Sequence, residues 1–109
     1  EAGRLEVKKS LALYVGGMGA KDKNFHNELL ARMGYAEAAA KIQDLYLDGK
    51  KAEAVAAVPD ELVDDIALVG PKDRIKQRLA AWEDSAVTSL LVWPKTPEDL
   101  ETYAELILD

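Results

Sequence analysis

Apolar residues recur along this chain at helical spacing almost everywhere, and in its first two thirds the helical runs are punctuated by glycine or proline. Phe25, Leu29 and Met33 follow one another every fourth position and predict one apolar stripe on a helix. Asn24 stands before it as an N-cap, and Gly34 stands after it as the residue that ends the helix. Tyr35, Ala38, Ala39, Ile42, Leu45 and Tyr46 then share a face of the next segment, which Gly49 terminates. The alanine-rich run from Lys50 to Ala57 predicts a short helix. Pro59 stops it and starts another, with Asp60 and Glu61 in a first turn that favours negative charge and Leu62, Val63 and Ile66 on its apolar side. Gly70-Pro71 opens a helix over 71–85 with Ile75, Leu79 and Trp82 on one stripe. Thr96 caps a final helix over 97–108, whose predicted buried face is Leu100, Tyr103, Ala104 and Ile107. Leu11 to Val15 fits a short strand or the end of a helix begun near Leu5. The helix formers between Glu1 and Ser10 favour the helix, which Gly16-Gly17-Met18-Gly19 would end before a polar loop.

Residues 87–92 break the helical pattern. Val-Thr-Ser-Leu-Leu-Val, followed by Trp93, places apolar groups on both faces of a strand, the mark of a parallel sheet covered on both sides. Such a strand needs neighbours for its N–H and C=O groups, and the chain offers at most one doubtful second strand. The expected fold is therefore mainly α with one strong strand, a piece of a larger α/β protein. Residues 1–69 read as a helical stretch, and residues 70–109 as a helix-strand-helix unit.

Composition narrows the functional classes. Of 109 residues, 49% are hydrophobic and 31% charged, the profile of a globular protein rather than a disordered tail. The net charge of −6, with lysines and arginines scattered among acids, argues against nucleic acid as a partner. The absence of cysteine excludes disulfides and thiolate chemistry. No apolar run reaches the ~20 residues that span a bilayer, and there is no signal-peptide core, so no membrane partner and a cytoplasmic location are expected. A chain beginning at Glu1 rather than Met fits a processed or excised segment, and equally an arbitrary boundary.

Few residues invite chemistry. Gly16 to Lys23 joins glycines to Lys21 and Lys23 but lacks the spacing of a phosphate-binding P-loop. Gly70, Lys72 and Arg74 are better placed, because they set two cations at a helix start whose N–H groups attract anions. His26 is the sole histidine, without a second histidine or nucleophile beside it, and reads as a surface residue. Asp60, Glu61, Asp64 and Asp65 are explained by the favourable field of a helix start more simply than by a metal. Trp82 and Trp93 read as core or interface aromatics.

The run Leu11-Ala12-Leu13-Tyr14-Val15-Gly16-Gly17-Met18-Gly19, then Asn24-Phe25, resembles the C-terminal part of luciferase-like oxidoreductases. It is most similar to the deazaflavin-dependent branch related to methylenetetrahydromethanopterin reductase. Ile42 to Leu47, Val58 to Asp64 and Leu68-Val69-Gly70-Pro71 continue the likeness, which covers essentially the whole chain. The resemblance implies a C-terminal fragment of a TIM (β/α) barrel, with 1–69 a helical insertion after strand seven. On that mapping 71–85 is the seventh helix, 87–92 the eighth strand and 97–108 the closing helix, while the N-terminal barrel portion is missing. It also implies hydride transfer between a deazaflavin (or FMN) and an organic substrate in a full-length parent, at a site near the C-terminal strand ends. Gly70, Lys72 and Arg74 would then lie near the cofactor's phosphate tail. This chain alone is expected to be structural, to lack activity and bound cofactor, and to self-associate as a homodimer or higher. One departure is Ala86, where the family commonly has glycine; a left-handed turn there would cost alanine about 1 kcal/mol. The competing expectation is a free-standing helical module for protein–protein interaction.

Overall fold

The computed structural model describes residues 2–108; Glu1 and Asp109 lie outside the described residues. The backbone divides into two compact units, Glu1–Val69 and Gly70–Asp109.

Among the described residues the first unit holds five α-helices, two of them extended by π turns. Helix α1 (Ala2–Ala12) runs on without interruption into a π-helical turn, Leu13–Gly17. Helix α2 (Phe25–Leu30) likewise continues into a π turn, Ala31–Tyr35, and α3 (Ala36–Leu47), α4 (Lys51–Ala56) and α5 (Asp60–Ile66) follow. The predicted stops act as expected. Asn24 accepts from the Asn27 N–H at 3.0 Å and so satisfies one orphan donor of α2. Gly34 turns at φ +100°. At the end of α3, Gly49 sits at φ +82° while its N–H donates to Tyr46 O and the Lys50 N–H donates to Leu45 O, the paired bonds of a Schellman ending. The run Gly16-Gly17-Met18-Gly19 ends the first helix as expected: its π turn closes at Gly17, with Met18 as the C-cap.

Helix α3 is central, packed by the α1 π turn, by α2 and by α4. The core contains Val15, Ile42, Val58, Leu62 and Val63, all essentially inaccessible, with Ala12, Ala39 and Ala54 where helices approach closely. The expected Phe25/Leu29/Met33 stripe is not the buried one. Phe25 is 66% exposed, whereas Leu30, one step around the helix, is 4% exposed. The α2 segment is short and pinned by its asparagines, so tertiary contacts rather than periodicity choose its inner face.

The second unit contains α6 (Lys72–Glu83) and α7 (Pro97–Leu108). Pro71 is the N-cap of α6, one residue before the expected first turn. Thr96 caps α7 as expected: its Oγ1 accepts from the Asp99 N–H at 3.1 Å, and Asp99 Oδ2 accepts from the Lys95 N–H at 3.2 Å. The face of α7 differs from the pattern, since Leu106 is buried while Leu100 and Ile107 are exposed.

The expected strand is overturned. Residues 87–94 carry no regular secondary structure, and no strand or sheet occurs among the described residues, only an isolated bridge between Ala20 and Lys23. The expected fold class, one strong strand in a TIM-barrel fragment, is therefore corrected to an all-helical arrangement of two units. A strand exists only through ladder bonds to a neighbour, and no second strand among the described residues supplies them. Leu91 and Trp93 are accordingly 83% and 79% exposed rather than enclosed. No described residue other than glycine has positive φ, so Ala86 carries no left-handed strain.

Candidate functional site

The start of α6 brings two of the three expected anion-binding residues together. Gly70 adopts φ +140°, outside the range a side chain tolerates, and turns the chain into Pro71. Arg74 folds its aliphatic stem back over this turn, so a Cβ on Gly70 would meet Arg74 Cδ at 3.3 Å. Lys72 points elsewhere. Its ammonium pairs with the Glu105 carboxylate on α7, which holds the Glu105 pKa below the usual carboxylate value through the hydrogen bond and the charge. Asp73 adds an acid in the same first turn, and no side chain caps the helix. The turn thus joins a helix N-terminus to the Arg74 stem, while Lys72 is paired with Glu105.

The glycine-rich stretch is a packing device. A Cβ on Gly17 would fall 2.4 Å from Tyr46 Cε1, and one on Gly16 would fall 2.6 Å from Tyr46 Cβ. The π turn therefore lies against the Tyr46 ring, and only glycine permits that approach. Lys21 is bound to Asp44 at 3.3 Å. No phosphate cradle forms.

Two asparagines hold this turn in place. Asn24 Nδ2 donates to Val15 O at 2.8 Å, and Asn27 Nδ2 donates both to Val15 O at 3.2 Å and to Ala39 O at 2.8 Å. Val15 O belongs to the last turn of its helix, where carbonyls lack intrahelical partners. Gln43, itself buried, donates to Ala20 O at 3.4 Å and ties the following loop to α3. The contacts of Asn27, Gln43 and Tyr46 escaped the sequence reading, which placed Tyr46 on a helix face without a partner, because each touches backbone distant in the chain. The Gly-Gly pair was the visible half of one such contact, and nothing in its neighbourhood names Tyr46.

The remaining candidates are structural. Asp64 receives Arg4 through two nitrogens, at 2.9 and 3.3 Å, and Asp60 binds Lys8 at 2.5 Å, so the acidic helix α5 is clamped to α1. The Lys8 hydrogen bond and charge hold Asp60 below its usual pKa of 3.8. Asp65 accepts from the Tyr35 hydroxyl at 2.5 Å; that bond, with the nearby acids, pushes the Tyr35 pKa to about 12. No three His, Asp or Glu residues converge on a metal-sized site among the described residues. His26 is half-buried rather than on the open surface, edge-on to Tyr14 at 4.9 Å and to Phe25 at 5.6 Å. Trp82 is half-buried beside a cavity of about 330 Å³ in the second unit, lined also by Leu79, Leu90 and Ile107. No described helix is long and apolar enough to cross a membrane.

With these features in place, comparison with known proteins defines the class. The chain belongs to the luciferase-like monooxygenase family, whose sequence profile matches residues 3–89. A protein of Mycobacterium tuberculosis (strain ATCC 25618 / H37Rv), provisionally named a coenzyme F420-dependent oxidoreductase, is 41% identical over 101 residues. That alignment takes in 93% of this chain but 29% of the relative, so the chain spans less than a third of that protein's length. No solved structure matches the chain.

Proposed function

We propose that this chain is part of an oxidoreductase that transfers a hydride between coenzyme F420, a deazaflavin, and an organic substrate. The 41% identity to a relative named for that cofactor carries the reading and favours the deazaflavin over FMN. In such enzymes the bound cofactor supplies the hydride chemistry, and the protein supplies binding, orientation and exclusion of water. The present residues suit the supporting part. The described portion has a well-packed helical unit in which the buried Asn24 and Gln43 side chains are hydrogen-bonded to backbone carbonyls.

Within this reading, Gly70, Lys72 and Arg74 contact the anionic tail of the cofactor. The helix start and the cation folded over it support this. The Lys72–Glu105 pair opposes it and has to open, or Lys72 has to stay out of the contact. Cofactor affinity measured on a longer protein containing this sequence tests the proposal. Replacing Lys72 and Arg74 together by alanine should raise the Kd for F420 about tenfold, the loss of one or two charge-assisted bonds. Unchanged affinity removes these residues from the site, and failure of the parent protein to reduce or oxidise F420 removes the function itself.

A further inference from the structure

We draw no further inference here: the strongest candidate, the exposed apolar patch of the first unit formed by Phe25, Leu29 and Met33 next to Tyr14 and His26, carries nothing because nothing in the structure shows what covers it.

Discussion

Gly17 and Tyr46 form a contact that tolerates no added atom. Replacing Gly17 by alanine would put a methyl 2.4 Å from the Tyr46 ring edge, so the half-buried ring would have to shift. Overpacking of this kind typically costs about 1–3 kcal/mol. Thermal unfolding should show that loss, and Gly17→Ala combined with Tyr46→Ala should recover part of it. Tyr35 offers a second test at this scale. Tyr35 should ionise only near pH 12, because Asp65 accepts from its hydroxyl and disfavours the phenolate. Its raised value means that the stability from this bond is complete below the ordinary tyrosine pKa of 10.0 and disappears as pH climbs toward 12. Ultraviolet titration should contain a late-ionising component that Tyr35→Phe abolishes; a titration without that component, or one that Tyr35→Phe leaves unchanged, would contradict it.

Between elements, the governing contact is the clamp of α1 on α5. Arg4 and Lys8 lie one turn apart and reach Asp64 and Asp60. Asp60 has a lowered pKa, so its contribution to the folded state is present above the ordinary value of 3.8 and is lost as pH falls through the lowered one. Acid should therefore loosen α1 from α5 before the apolar core fails. Hydrogen exchange on α5 amides at falling pH should show this, and Asp60→Asn should make that exchange insensitive to the same pH range. The core responds differently. Ile42 is fully buried at the centre of α3, and Ile42→Ala should cost about 2–5 kcal/mol in denaturant unfolding. At this scale the sequence was informative about ends and uninformative about faces. Asn24, Gly34, Gly49 and Thr96 act locally, through a side chain or a backbone angle, so their roles were visible without the fold. The inner faces of α2 and α7 depended on partners far away in the chain. There the expected Phe25 and Leu100 lost their places to Leu30 and Leu106.

For the whole molecule, the decisive contrast lies between the packed first unit and the exposed apolar segment of the second. Leu91 is 83% exposed, so Leu91→Lys should leave the helical unfolding transition within about 0.5 kcal/mol of the parent chain. Denaturant unfolding of the two chains measures that difference, and a larger loss would mean that Leu91 is packed rather than exposed. The family membership and the Mycobacterium tuberculosis relative point the function toward F420 chemistry, while the chain's span of 29% of that relative makes cofactor binding a question for a longer protein.

The sequence by itself determined the helical segments, most of their caps and the family, because these rest on neighbouring residues or on a run of matched positions. Only the tertiary structure decided that Gly16 and Gly17 make room for Tyr46, that Lys72 turns to Glu105, and that 87–92 is no strand. Each of those outcomes depends on which distant group is present to touch or pair, and an apolar pattern records a residue's preference for cover without recording whether cover exists.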